Sequence, residues 1–379
     1  MPSTREEAAQ LESQNSLPLP AFYEAAPVAE SKPGALLRHL HFEGYDLLPG
    51  IDATRFVYHS RDAADQDVAS SGVILLPPGS PPSGGWPIIV WAHDGTGVAR
   101  TCAPSVMRDL YNGDLITQMM HAGYAVVEVD YHGLGTVGSH EYLNTLAQAR
   151  DIIYAVPAAQ QAVPALGKRW VVDGHSEGGQ AAWGVAEMEA VRHDPGYLGA
   201  VSVSGATHLA WVLSHQEVLD GGGFYAAWLA SAIEARFPEF KPENILSRKA
   251  MGHYYEATEQ GCMFTGYVLY KGRKASEMLK PDWQNDPFLH RFIDESKIGD
   301  KPIAGSLLVI AGETDQIVPL DAIKESVKRA CSHGQKLFFK SYPGLGHEPV
   351  MANSLADQLA WIRDRFADKP APQNCPAGP

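Results

Sequence analysis

The most constraining stretch of the chain is Trp170-Val171-Val172-Asp173-Gly174-His175-Ser176-Glu177-Gly178-Gly179, an apolar run that breaks into Gly-x-Ser-x-Gly and continues as the alanine-rich residues 180–191. It reads as strand, sharp turn, helix. Glycines on both sides of Ser176 suit a strained turn, because residues without a Cβ let neighbouring backbones approach closely. Such a turn lifts the serine hydroxyl above a sheet edge. It also puts Ser176 at a helix N-terminus, where the free N–H of Glu177 can stabilise a developing oxyanion. A Gly/Ser loop that merely caps a helix can carry the same five letters, but the strand before and the helix after favour catalysis.

Around this stretch strands and helices alternate. Residues 88–92 read as a strand ending at His93-Asp94-Gly95-Thr96-Gly97, and 107–121 as a helix. Residues 124–131 form a strand ending at His132-Gly133-Leu134-Gly135. A helix at 141–155 follows, with a Pro-interrupted continuation to 162, then the strand 170–173, the helix 180–191 and the strand 198–203. The alternation predicts a mostly parallel sheet covered on both faces, with its chemistry in loops at the C-terminal strand ends. Strands at 35–44, 53–60 and 72–76, with a polar turn at 61–71 and a Pro/Gly/Ser loop at 77–87, suggest an antiparallel start. Residues 1–34 read as an arm without evident chemistry. Residues 207–300 break the pattern: with Gly221-Gly222-Gly223, Trp228 and Tyr254-Tyr255 they are aromatic and helical in flavour. They read as a helical cap inserted between the two parts of an α/β catalytic domain, 35–206 and 301–379, and as a source of apolar pocket walls. The sheet resumes at 307–311, with a helix at 320–330, a last strand at 336–341 and a closing helix at 352–366.

The formal charge of −14 argues against nucleic acid or an anionic membrane surface as partner. No apolar run approaches a bilayer span, so no integral membrane segment is expected. The opening Met1–Glu7 stretch is polar and gives no export signal to read. The four cysteines, Cys102, Cys262, Cys331 and Cys375, lack metal-like pair spacing, so no metal site is expected. A Cys331–Cys375 bridge would tie a Pro-rich tail to the body, four unrelated thiols are the bland alternative, and spacing does not choose among the three possible pairings.

A serine hydroxyl is a poor nucleophile and needs an adjacent base oriented by an acid. His347, in a Gly-rich loop after the last strand, is the candidate base, whereas His39, His41, His193 and His290 suit surface or core roles. Asp315, directly after a buried strand and before Val318-Pro319, is the candidate acid, with Glu313 and Asp321 as rivals. The order Ser176, Asp315, His347 is that of α/β-hydrolases. A second oxyanion donor is expected from the backbone N–H of Asp94 or Gly95, with His93 either in the pocket or a structural hydrogen-bonding residue. Tyr131, Trp228 and Tyr255 complete the expected pocket.

The segments Trp91-Ala92-His93-Asp94-Gly95-Thr96-Gly97, Asp130-Tyr131-His132-Gly133-Leu134-Gly135-Thr136, Gly174-His175-Ser176-Glu177-Gly178-Gly179 and Tyr342-Pro343-Gly344-Leu345-Gly346-His347 resemble the secretory lipase family, the lipase A-like branch of the α/β-hydrolases. The resemblance runs from about residue 35 to the end. It implies a secreted or periplasmic carboxylic ester hydrolase without cofactor, a helical cap, a Cys331–Cys375 bridge, and Asp94 at the oxyanion position. Many bacterial relatives have His-Gly-Thr-Thr-Gly where this chain has His-Asp-Gly-Thr-Gly, so an extra carboxylate enters the acyl-pocket region. The expected reaction is hydrolysis of short- to medium-chain esters, with activity rising as His347 loses its proton. An acyltransferase using the same acyl-enzyme, a serine peptidase on the same fold, and a non-catalytic binding relative are the alternatives. The last of these is disfavoured because nucleophile and base are both retained.

Overall fold

The computed structural model describes residues 1–24, 32–210 and 222–375. Gly221 and the adjoining start of the expected cap therefore lie outside the described residues, as does part of the arm. One nine-stranded sheet organises the chain, in the order β1-β2-β3-β5-β4-β6-β7-β8-β9. The strands are β1 (Leu36–His41), β2 (Asp52–Arg61), β3 (Asp67–Leu76), β4 (Trp86–Ala92), β5 (Ala125–Val129), β6 (Leu166–His175), β7 (Tyr197–Val203), β8 (Ser306–Gly312) and β9 (Leu337–Tyr342). The first three are antiparallel to their neighbours, and β5, β4 and β6 to β9 run parallel. The fold is that of the α/β-hydrolases.

The continuous apolar runs explain the centre. β4 and β5 are buried along nearly their whole length, as strands covered on both faces must be. Among the described residues the helices of eight residues or more are α1 (Arg5–Asn15), α2 (Gly113–His121), α3 (Thr145–Ala162), α4 (Glu177–Arg192), α5 (Gly223–Arg236), α6 (Met263–Tyr270), α7 (Pro287–Glu295), α8 (Leu320–Ser332) and α9 (His347–Phe366). Among the described residues no strand lies between β7 and β8; that stretch is helical and holds α5, α6 and α7. No described helix is long and apolar enough to cross a membrane.

Four local expectations need correction. The polar turn expected over 61–71 is much shorter, because β2 pairs with β3 from Arg61↔Asp67 onward. Ser70 and Ser71 are polar letters inside that buried hairpin, and Ser71 Oγ donates to Asp130 Oδ2 at 2.6 Å. The helix expected over 107–121 starts only at Gly113. Leu110 and Tyr111 take positive φ values of 52° and 57°, and the Tyr111 N–H bonds Asp109 Oδ1 at 2.8 Å, a local turn that outcompetes helix. α3 begins at Thr145 rather than 141, capped by Asn144 Oδ1, and runs unbroken through Pro157. Its burial against the sheet and α4 outweighs the hydrogen bond that proline removes. α9 begins at His347 itself, and Pro349 is tolerated because the first-turn N–H groups have no helical acceptor.

The arm does more than lie on the body. Glu12 of α1 accepts from the backbone N–H groups of Cys262 (3.3 Å) and Thr265 (2.8 Å), capping the start of α6. Arm, α6 and the loop after β4 line an open pocket of about 690 Å³, whose lining includes Leu11, Thr96, Tyr111, Met263 and Phe264.

Candidate active site

The turn after β6 is strained as the glycine pattern requires. Ser176 has φ 55° and ψ −114°, a conformation that costs free energy and persists only where surroundings over-determine it. Those surroundings are backbone. The Ser176 N–H donates to Val203 O at 2.9 Å, and a Cβ on Gly178 would stand 1.9 Å from Ala92 O. Gly178 is thus the residue that lets α4 start directly against the end of β4.

β6, β8 and β9 end on the same edge of the sheet and bring three loops together. Ser176 Oγ lies 2.8 Å from His347 Nε2, and His347 Nδ1 lies 2.8 Å from Asp315 Oδ2. With Asp315 accepting from Nδ1–H, Nε2 is left to receive the serine proton. Asp315 Oδ1 is held by the N–H groups of Ile317 and Val318, each at 2.9 Å. Burial pushes the Asp315 carboxyl upward, but the His347 hydrogen bond and charge and the two amides prevail and hold it below the usual carboxylate range. The rivals are engaged elsewhere. Glu313 accepts from Ser341 Oγ at 2.7 Å, and Asp321 sits in the first turn of α8. His39 and His290 are exposed, His41 lies between Glu43 and Asp52, and His193 closes α4 in a left-handed conformation.

The loop after β4 lies beside this relay, because Ala92 pairs in register with Gly174. The Glu177 N–H opens α4, and the Glu177 side chain anchors it, accepting from His140 Nε2 at 3.0 Å and from Gln148 Nε2. Asp94 is buried, with Oδ2 at 3.6 Å from His175 Nδ1. Gly95 faces the rings of Tyr142 and Trp228, which come within 3.4 Å of where a Cβ would sit. Trp228 therefore lies against the β4 loop, and so does Tyr142, which no sequence signal singled out.

The other expected pocket residues sit differently. His93 is fully buried, its nitrogens facing the carbonyls of Asp94 (2.6 Å) and Asp130 (3.2 Å), and Tyr131 OH donates to His93 O at 3.2 Å. Both brace the loop from inside. Tyr255 is 65 % exposed on the helical segment, so its ring is directed to solvent.

All four cysteines are bridged. Cys331 joins Cys375, and Cys102 joins Cys262, a pairing that spacing left open. The second bridge ties the segment after the β4 loop to the start of α6.

A further network stiffens the loop after β5. His132 Nδ1–H donates to Asp151 Oδ2 at 2.9 Å, with Glu141 at 3.7 Å from the other nitrogen. Burial pulls the imidazole down, yet the Asp151 and Glu141 carboxylates hold it up at about 9. A folded value above the unfolded one contributes stability that is fully present below about pH 6.5 and lost as pH rises through 9. Thermal midpoints should accordingly fall across that window, and fall less in His132→Gln. Equal falls in the two proteins would contradict this.

With this geometry in place, comparison with known proteins identifies the group. The model of the secretory lipases matches residues 107–374. The chain belongs to the secretory lipase family. It is 22% identical to a secreted triacylglycerol lipase of Malassezia globosa, over 97% of this chain and 86% of that one. Candida antarctica lipase A has the same fold at a TM-score of 0.79 and 17% identity, covering 95% of this chain and 89% of that one. The rice cell wall degrading esterase LipA from Xanthomonas oryzae aligns at a TM-score of 0.73 and 18% identity, over 89% of this chain and 99% of that one. Membership of this family makes the chain a carboxylic ester hydrolase, and its two disulfides fit a secreted protein.

Proposed function

We propose that the protein is a serine carboxylesterase of the lipase type that hydrolyses short- to medium-chain carboxylic esters through an acyl-enzyme. The observation that carries this reading is the continuous relay from Ser176 Oγ to His347 to Asp315, with both links at 2.8 Å. His347 takes the serine proton as Oγ attacks the ester carbonyl, then returns it to the departing alcohol. Water repeats the sequence in reverse and releases the acid. Asp315 holds the imidazole tautomer and stabilises the imidazolium. The backbone N–H groups of Glu177 and of Asp94 or Gly95 bind the oxyanion.

The preference for short and medium acyl groups is supported by the crowding of Gly95 by Tyr142 and Trp228, which restricts the space over the oxyanion loop. The helices between β7 and β8 act as the cap over this space. Secretion follows the family and the disulfides, as for the secreted lipase of Malassezia globosa.

A fluorophosphonate probe should label the protein once, at Ser176 by peptide mass. kcat/KM for chromogenic esters should peak between about four and ten acyl carbons, since each buried CH₂ contributes about 0.8 kcal/mol until the space is full. Labelling elsewhere would defeat the assignment, and activity rising without limit with chain length would defeat the chain-length part.

A further inference from the structure

The residue that precedes the nucleophile is outside the relay, yet it touches two parts of the site. His175 is fully buried. Its Nε2 lies 3.0 Å from the backbone carbonyl of His347, and its Nδ1 faces Asp94 Oδ2 at 3.6 Å. A carbonyl only accepts, so Nε2 must carry a hydrogen. If the ring were neutral, Nδ1 would present a bare lone pair to a buried carboxylate, which is repulsive. An imidazolium suits both neighbours at once, donating to the base turn through Nε2 and facing the carboxylate of the oxyanion loop through Nδ1.

We propose that His175 is a positioning residue that stays cationic during turnover, holding the His347 turn in register and cancelling the Asp94 charge next to the oxyanion site. This rests on the serine-hydrolase reading above. The need for it lies in the sequence: the loop that supplies the oxyanion donor carries a carboxylate whose Oδ1 is buried without a partner. An uncompensated negative charge there would oppose the oxyanion that forms during attack. Among the described residues His175 faces that carboxylate, and its ring lies 4.6 Å from that of His347, centroid to centroid.

The surroundings of His175 set its titration. Asp94 faces it from the β4 loop, Glu348 from α9 and Asp173 from its own strand, while the His347 ring lies beside it. Polar atoms of His175, His347 and Glu348 lie within 4.8 Å of one another. Tyr111 and Tyr225 approach Asp94 and Glu348 from the loop before α2 and from α5, and Asp315 acts on Glu348 from the β8 turn. Burial pulls the His175 imidazole down, but Asp94 first, then Glu348 and the His347 carbonyl, hold it at about 9. Glu348 is exposed as a whole residue, but the groups packed around its carboxyl, Asp94 among them, push that carboxyl upward.

The test is a pH–rate comparison of wild type, His175→Gln, Asp94→Asn and the double variant, with Ser176→Ala as control. Gln can still donate to the His347 carbonyl but carries no charge. Wild-type kcat should decline on the alkaline side near pH 9. His175→Gln should lose about 10- to 100-fold in kcat with little change in KM, and should lack that alkaline limb. Removing the Asp94 carboxylate as well should recover most of the loss. Nitrogen-15 imidazole NMR of the wild type at pH 7 should find both His175 nitrogens protonated. An unchanged alkaline limb in His175→Gln, strictly additive losses in the double variant, or a singly protonated His175 ring would each overturn the proposal. Ester turnover surviving in Ser176→Ala would instead overturn the underlying hydrolase reading.

Discussion

Ser176→Ala should lower kcat for ester hydrolysis on the order of a million-fold, and Asp315→Asn by about ten thousand-fold. The two losses differ because the two side chains do different things. In the proposed mechanism Ser176 supplies the atom that bonds to the acyl carbon, so nothing replaces it. Asp315 stands one hydrogen bond further out, 2.8 Å from His347 Nδ1, and its amide variant no longer demands the tautomer that frees Nε2. The losses should not add in the double variant, since an orienting group has nothing to orient once the nucleophile is gone. Both variants should bind substrate as before and melt near the wild-type temperature, because each removes only polar atoms at the relay and leaves the backbone of the turn as it is. Single-turnover rates with a chromogenic ester decide the matter: a Ser176→Ala protein that keeps most of its turnover would end the assignment of nucleophile.

Opening the Cys102–Cys262 bridge should cost about 2–5 kcal/mol of stability, and more than opening Cys331–Cys375. The bridges span 160 and 44 residues respectively. In the chain-entropy view the longer loop restrains the unfolded ensemble more, by about 1 kcal/mol from loop length alone. Position adds to this. Cys102 follows the β4 loop and Cys262 precedes α6, whose first N–H groups are capped by Glu12. The bridge therefore fixes the helical segment to the loop that carries Asp94 and Gly95. Paired Cys→Ala variants at 102 and 262 should show a lower denaturation midpoint, together with a larger fall in kcat/KM than variants at 331 and 375. If the short bridge matters equally for both readouts, the segment before α6 does not depend on this tether.

Much of the site was legible before any coordinates, because its parts are local. A nucleophile turn needs glycine where a Cβ would strike backbone, and Gly178 against Ala92 O shows why. The acid and base sit directly after buried strands, and a parallel sheet gathers such ends on one edge. What misled was also local. The apolar residues of 107–112 have helical spacing, but Asp109 bonds the Tyr111 N–H and Leu110 and Tyr111 turn left-handed. Ser70 and Ser71 read as turn letters but sit inside a hairpin, where the Ser71 hydroxyl finds Asp130. His93 and Tyr131 flank the site in sequence, yet hydrogen bonds to carbonyls hold them beneath it.

By itself the sequence determined the alternation of strand and helix, the strained serine turn and the order of the candidate nucleophile, acid and base, since each depends on residue type and spacing along one short segment. Only the tertiary structure decided that Cys102 meets Cys262, that Glu12 of the arm caps α6, that Tyr142 stands beside Gly95, and that His175 lies between Asp94 and the His347 carbonyl. These are contacts between segments far apart in the chain. Their partners are chosen by how the sheet stacks its strand ends, and no periodicity within either segment records that choice.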